Sequence, residues 1–453
     1  MKILDEWMRK LSLFSAPVLW HPLPPLMKPM SFYSLMGLAG LVVGRSCGFG
    51  DEWPQYRGAT GDGISAETIG PWRGGGPKRL WISKTSAGFS SFSVAEGKVF
   101  TIVSRQVDGS LSEVCVALDA TTGQELWATP IGPAKYRGGG DSGAEGNTGG
   151  DGPRSTPAVS AHRVYVYSAH LVLDCLDAAT GKVVWKKDIA ADFSGHNIDW
   201  ESALSPVIDD DLVYIAGGGP GQSMLAFNKN TGEVAWRTGN EVMTQATPVV
   251  AKIHDVRQVI FLMQSGLVAL EVSSGKELWK FPFPFRVATG CSPIVAGDVV
   301  FCTAGYGTGG AACKVTRDGS SFAATEVWRI KGDSQVASLW STPVCKDGYL
   351  YGMISFKKFG QAGPLKCVDL KTGKVKWEQP GFGAGNVVLA RNNLIALSDD
   401  GQVVIVEAHP DGYKEIARTK AIQGKCWSTP ALSNGKLYVR STKEGACLDL
   451  AGQ

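Results

Sequence analysis

Short apolar stretches, each broken by a cluster of Gly, Asp, Asn or Thr, run through the chain from Trp81 to Leu450 and follow one repeating plan. One unit reads Ala117-Leu118-Asp119-Ala120-Thr121-Thr122-Gly123-Gln124-Glu125-Leu126-Trp127, and it recurs as Leu176-Asp177 to Trp185, Ala226-Phe227-Asn228 to Trp236, Ala269-Leu270-Glu271 to Trp279, and Val368-Asp369 to Trp377. An Asp or Asn side chain can accept bonds from backbone amides two residues on, and the Gly permits the positive φ of a tight hairpin. Each unit is therefore expected to be strand, turn, strand, with the closing Trp packing against the next unit. A second signature precedes each unit: Ser155-Thr156-Pro157, Ser205-Pro206, Thr247-Pro248, Ser292-Pro293, Ser341-Thr342-Pro343 and Ser428-Thr429-Pro430. Eight residues after the Pro stands Tyr165, Tyr214, Phe301, Tyr351 or Tyr438, across a turn that predicts a further hairpin. Proline is tolerated at the head of a strand, where its missing N–H removes no ladder bond, so it marks the first strand of four.

The closing tryptophans Trp81, Trp127, Trp185, Trp236, Trp279, Trp328 and Trp377 are 46, 58, 51, 43, 49 and 49 residues apart. An eighth unit, from Asn386 to Ala417, has a decayed turn and no closing Trp. The chain ends with three strands from Cys426 to Leu450, while Lys78 to Lys84 is a fourth strand with no three before it. The two ends complete one another. Four-stranded units at this period close into propellers, so the expected fold is all-β: an eight-bladed β-propeller over residues 77–453, sealed by one N-terminal and three C-terminal strands. Residues 51–76 are read as an N-terminal arm and 1–50 as leader and signal peptide.

The leader reading rests on 16 uncharged residues between Lys28 and Arg45, shorter than a bilayer span and suited to a secretory core. Gly48-Phe49-Gly50 offers a cleavage site before Asp51, and Met27 or Met30 is the expected start. Lipid anchoring through Cys47 is not expected, because Arg45 stands where a small or apolar residue belongs. The destination is then periplasmic or extracellular.

The Ala-x-Asp-x-x-Thr-Gly-x-x-x-Trp unit resembles the tryptophan-docking motif of pyrroloquinoline quinone (PQQ) propellers, a family that includes quinoprotein alcohol dehydrogenases and the BamB lipoprotein of outer-membrane barrel assembly. The likeness covers residues 77–453. Trp53-Pro54-Gln55-Tyr56-Arg57-Gly58 also resembles the opening of exported PQQ-repeat proteins, in which Pro commonly follows, where this chain has Ala59. The resemblance implies the fold more strongly than a function, since one fold hosts many activities. For a dehydrogenase it implies PQQ beneath a disulfide of adjacent cysteines, calcium held by carboxylate and amide ligands, an Asp base and often a haem site. The ten cysteines include no adjacent pair and no Cys-x-x-Cys. Cys175, Cys367, Cys447 and Cys313 are expected to share one buried strand register, and only Cys302 and Cys313 look placed to pair.

Composition adds exclusions. Charged residues are 19% of the chain, Gly numbers 57, and net charge is +3, so there is no basic footprint for nucleic acid. No phosphate loop and no Ser-His-Asp order can be argued. The loop holding His196, Asp199 and Glu201 is the densest polar cluster, and His196 is read as a hydrogen-bonded loop residue before a base or ligand. The insertion Gly132 to Pro153 brings Asp141, Glu145 and Asp151, weak calcium candidates at no EF-hand spacing, and is read first as a disordered segment or mobile lid. Taking the residue three before each Pro as facing the channel gives Arg154, Gln245, Trp340 and Trp427 as a ligand-binding funnel mouth, with Phe89 and Gly385 placed less directly.

The leading expectation is an exported, non-catalytic, monomeric propeller that binds a protein or polymer through a face, with no cofactor. The alternatives are a PQQ- and calcium-dependent oxidoreductase and a binder of saccharide or aromatic ligands.

Overall fold

The repeated turn folds as its chemistry demands. Asp119 Oδ1 accepts from the backbone N–H groups of Thr121 and Thr122 at 2.9 and 2.8 Å and from the Thr122 hydroxyl at 3.0 Å. Gly123 then takes φ +70°. That glycine also lies on the ring of Trp81, where a Cβ would stand 2.6 Å from the indole. The same approach joins Gly181 to Trp127, Gly232 to Trp185, Gly275 to Trp236 and Gly373 to Trp328. Glycine is needed twice over, for the turn and for the Trp of the preceding unit.

The computed structural model describes residues 52–451 except 71, 73–75, 137–151, 287–288, 334 and 356–362. The leader, Cys47, Asp141, Glu145 and Asp151 lie outside the described residues. The unit Phe49–Gln453 holds eight sheets in a ring, each built on a blade of four antiparallel strands that follow one another in sequence in all but the last. Blade 1 comprises Ser93–Ala95, Lys98–Val107, Ser110–Asp119 and Glu125–Pro133. Blades 2 to 7 start from innermost strands Ala158–Ser160, Val207–Asp209, Val249–Ile253, Ile294–Ala296, Val344–Lys346 and Asn386–Ala390. Blade 8 is Ala431–Ser433, Lys436–Arg440 and Glu444–Asp449, completed by Arg79–Lys84, so the ring closes as its two ends require.

The arm departs from the four-strand plan: Ile64–Ser65 adds a fifth, parallel strand inside blade 7, with Ile64 opposite Leu389. Blade 1 and blade 5 also extend into long hairpins, Lys98–Val107 with Ser110–Asp119 and Gly309–Asp318 with Ser321–Ile330.

The core lies between neighbouring blades. Each closing Trp donates its indole N–H into the next blade: Trp81 to Ala120 O, Trp127 to Ala178 O, Trp185 to Lys229 O, Trp236 to Val272 O, Trp328 to Leu370 O and Trp377 to His409 O, at 2.7 to 3.1 Å. Trp279 differs. Blade 5 presents no Asp-x-x-Thr-Gly turn to receive it, and it bonds Gln258 Oε1 of its own blade at 2.7 Å.

A small residue sits opposite each closing Trp on the neighbouring strand, with a Tyr or Phe on its other side except at Trp279, where Ile260 stands: Cys175 lies between Tyr165 and Trp185, Cys367 between Tyr351 and Trp377, Cys447 between Tyr438 and Trp81. In blade 5 that place belongs to Ala312, between Phe301 and Trp328, and not to Cys313, which lies one residue further along opposite Val300. Cys302 and Cys313 are buried on adjacent strands two residues out of direct opposition, and the nine cysteines among the described residues are free thiols.

The Ser/Thr-Pro signature does more than start a strand. The residue before the Pro, with Ser91 at the matching place in blade 1, forms a belt around the channel in which five hydroxyls accept a backbone N–H from an adjacent blade. Thr429 N donates to Ser91 Oγ, Ser91 N to Thr156 Oγ1, Thr156 N to Ser205 Oγ, Ser205 N to Thr247 Oγ1, and Ser292 N to Thr342 Oγ1, at 2.8 to 3.1 Å. Arg440, fully buried, adds a staple across the closing seam: it donates to Ser90 O, Thr101 Oγ1, Ile102 O and Ser86 O of the neighbouring segment. Burial pulls its pKa down, yet four oxygens surround it.

Candidate functional site

The strands of a blade alternate in direction, so the loops that lead into the innermost strands gather at one end of the channel and the first hairpins gather at the other. The predicted mouth residues lie at the first end. Trp427, from the loop into blade 8, is the middle ring of a three-ring stack, with Trp340 at 4.6 Å and 26° and Phe89 at 4.9 Å and 23°. The Lys425 ammonium stands over Trp427 at 4.8 Å. The stack is tethered by backbone: Trp340 Nε1 donates to Ala384 O at 3.3 Å, and Asn386 Nδ2 to Trp427 O at 2.7 Å. Beside it Asp399 Oδ2 accepts from Ala384 N at 3.2 Å, and burial raises the Asp399 pKa.

Arg154 and Gln245 are placed differently from the two tryptophans. Both hold the loop of residues 194–201: Arg154 Nη1 donates to Trp200 O, and Gln245 Nε2 to Glu201 O at 2.8 Å. Trp200 and Glu201 take φ of +63° and +61°, which these two bonds help to hold. Arg154 also lies over the ring of Tyr136 at 5.2 Å. His196 and Asp199 are exposed on this loop, whereas Glu201 is buried. His196 N donates to Gly217 O at 3.2 Å, so backbone geometry anchors the residue.

A cluster that the sequence did not single out lies between blades 1 and 2. Glu113, fully buried, accepts from the Tyr136 hydroxyl at 2.7 Å and from Ala169 N at 3.0 Å. Burial raises its pKa, and the two donors oppose the rise. The His170 ring stacks parallel to Tyr136 at 6.4 Å. Glu113 sits at a bulge in the long blade 1 hairpin, a local irregularity that hydrophobic alternation does not reveal.

At the opposite end the arm crosses the channel. Trp53 pairs with Val94 of blade 1 through two backbone bonds of 3.0 and 2.7 Å, Pro54 O accepts from Val159 N of blade 2, and Gln55 Oε1 accepts from Ile208 N of blade 3. Arg57, fully buried, donates to Thr342 O and Pro343 O at blade 6 and to Asp62 O. Gly63 O and Ser65 O take N–H groups of blade 7, and Glu67 caps the Asn434-Gly435 turn of blade 8. The Trp-Pro-Gln-Tyr-Arg-Gly segment is thus a stopper whose polar groups address successive blades.

Exposed apolar residues mark the open face. Trp200, Val242 and Tyr306 are 41%, 55% and 48% exposed, all on loops at the end where the innermost strands begin. A hollow of about 370 Å³ lies there among Val242, Gln264, Pro284, Phe285 and Arg286. Among the described residues no three His, Cys, Asp or Glu side chains converge so as to hold a metal ion. No helix of the described residues is long and apolar enough to cross a membrane.

Fold and site together define a Trp-docked eight-bladed propeller, stoppered at one end by its own N-terminal arm and carrying an aromatic stack at the other. The family model described as outer membrane protein assembly factor BamB matches residues 110–379, and the chain belongs to that family. The outer membrane protein assembly factor BamB of Shewanella oneidensis is 23% identical over 265 residues, 56% of this chain and 64% of that protein; the chain thus spans just under two-thirds of that relative. Among solved structures, BamB from Moraxella catarrhalis superposes with a TM-score of 0.53 at 15% identity, covering 81% of this chain and 97% of that one. The quinohemoprotein alcohol dehydrogenase ADHIIG from Pseudomonas putida HK5 gives 0.58 at 14% identity, covering 89% and 81%. These two likenesses establish the fold.

Proposed function

We propose that this chain is an exported, non-catalytic scaffold that holds a protein partner in outer-membrane assembly against the face where its innermost strands begin. The observation that carries this reading is the exposure of Trp200, Val242 and Tyr306 on that face, beside the hollow under Val242. Exposed apolar residues grouped on one face of a soluble domain are the usual mark of a docking surface, and membership of the BamB family supports the class of partner. The test places a photo-crosslinking residue at Val242, at Trp200 or at the outer-edge residue Val234. Crosslinks to cell-envelope proteins concentrated at the first two sites are expected; equal yield at Val234 would refute the reading.

A second reading, a PQQ- and calcium-dependent oxidoreductase, is favoured by the structural likeness to a quinohemoprotein dehydrogenase. Calcium takes six to eight oxygen ligands with several carboxylates, and among the described residues no three His, Cys, Asp or Glu side chains converge at the mouth, where Asp399 is spent on Ala384 N, so the donors there do not fit it. Incubation with PQQ and calcium, followed by dye-linked alcohol oxidation, decides: turnover would overturn the scaffold reading. For the mouth residues Arg154, Gln245, Trp340 and Trp427 as a saccharide or aromatic-ligand site, the test is fluorescence quenching. A platform loses ligand quenching on Trp340→Ala with its melting point intact, and a plug loses stability.

A further inference from the structure

Between blades 4 and 5 the arm and the Ser/Thr belt are both interrupted. Along the belt the next bond due is from Thr247 N to Ser292 Oγ, between blades 4 and 5. Instead Ser292 Oγ is buried with no hydrogen-bond partner among the described residues, on a residue only 2% exposed. The arm, which bonds blades 1, 2, 3, 6, 7 and 8, makes no hydrogen bond to blades 4 and 5 among the described residues. The gap is a cavity of about 270 Å³, with Gln55, Tyr56 and Ala59 of the arm on one side and Val250, Lys252 and Ser292 on the other.

The register shows what this gap presents. In each innermost strand the residue two after the Pro position turns its N–H and C=O away from its own blade and toward the channel, as at Val94, Val159 and Ile208, each of which the arm engages. Val250 is that residue in blade 4. It lines the cavity, its place opposite Val259 matches that of Val94 opposite Val99 and so leaves its N–H outside the ladder, and no turn, loop or side-chain group among the described residues bonds it. Unpaired main-chain groups at the edge of a strand bind an extended peptide by adding a strand, and the chain itself uses that mode where Trp53 lies against Val94.

We propose that the cavity between the arm and blades 4 and 5 is a binding site for a short extended peptide segment, paired through its backbone with Val250 and bonded by the Ser292 hydroxyl. The volume lies just below the usual range for ligand pockets, which suits a chain end and excludes a folded partner. At the rim Arg257 is paired with Asp209 and Asp210, and Lys252 with Asp255, so both cations there already have carboxylate partners and neither is left to select an anionic ligand. The site is at the opposite end of the channel from the proposed docking face, and its occupant and test are independent of that reading.

The experiment uses the propeller with its arm intact and the blocked tripeptide acetyl-Val-Val-Ala-amide as probe, followed by saturation-transfer NMR and calorimetry. The same tripeptide with methylated backbone nitrogens serves as control. Wild-type protein is expected to bind the first peptide and to bind the methylated one at least about tenfold more weakly, the scale of one or two lost hydrogen bonds. Ala59→Trp, at an exposed arm position, fills the cavity and abolishes binding. Ser292→Ala keeps the backbone bond to Thr342 and weakens binding by about threefold to tenfold. Thermal melts establish that both variants are folded. Equal binding of the methylated peptide, binding that survives Ala59→Trp in a folded protein, or no binding of the tripeptide at millimolar concentration would each overturn the proposal, the last meaning that the cavity holds water only.

Discussion

Asp174 illustrates how one side chain can set a pH response. It sits on an inner strand of blade 2 with 1% of its side chain exposed, and its one cationic neighbour, the half-exposed Lys186, stands 3.5 Å away. Burial lifts its pKa to about 6, against the smaller opposing pull of Lys186. The unfolded chain returns it to about 3.9. An acid whose folded pKa exceeds its unfolded value binds its proton more tightly when folded, so its penalty appears as pH rises from about 4 to 6 and is constant above. Asp174→Asn should therefore raise the melting point at pH 7.5, by at most about 3 kcal/mol of stability, with the difference from wild type shrinking below pH 6. A difference that stays constant from pH 8 to pH 4.5 would show that Asp174 is not held protonated by burial. Nothing in the sequence marked this residue, because burial of an alternate strand position depends on the adjoining blade. The docking tryptophans were legible because Asp, Gly and Trp belong to a single local turn. Trp279 was not, since its partner depends on a blade that lacks that turn.

At the level of the strand, the sequence pattern carried the four-stranded blade, its hairpins and the closure by Arg79–Lys84. Deleting Pro77 to Lys84 removes the outermost strand of blade 8 and bares the edge of Glu444–Asp449. An unpaired edge is a template for association, so the truncated protein should aggregate in light scattering and melt lower; a monomer with unchanged melting would contradict the closure. The belt was only half legible. Ser and Thr before Pro were visible as strand starts, but their hydroxyls are spent on amides some 40 to 65 positions away, a distance at which local chemistry gives no signal. The Cys313 register was missed because blade 5 has a long hairpin, Gly309–Asp318 with Ser321–Ile330, in place of the Asp-x-x-Thr-Gly turn from which the other cysteines are counted, and a one-residue offset turns a side chain to the other face.

Over the whole molecule the arm is the feature that the repeat pattern could not supply, because it belongs to no repeat. Arg57 carries much of its hold. Its guanidinium meets three carbonyl oxygens with no carboxylate among its hydrogen-bond partners, and burial lowers its pKa. Arg57→Ala leaves the carbonyls of Thr342 and Pro343 buried without a donor, and should cost more than about 2 kcal/mol. Limited proteolysis should then cut within residues 52–70 before any blade; an arm equally resistant in the variant and the wild type would show that Arg57 does not hold it.

The closing strand has a consequence in time. Synthesis delivers a chain N-terminal end first, yet Arg79–Lys84 finds its ladder partner only in Glu444–Asp449, and Glu67 its turn only at Asn434-Gly435. The segments made earliest are placed last. While more than three hundred residues emerge, the stopper and the sealing strand have to wait unpaired, so their sequence is under a demand that no later blade meets: to remain soluble and unengaged until the ring exists to receive them.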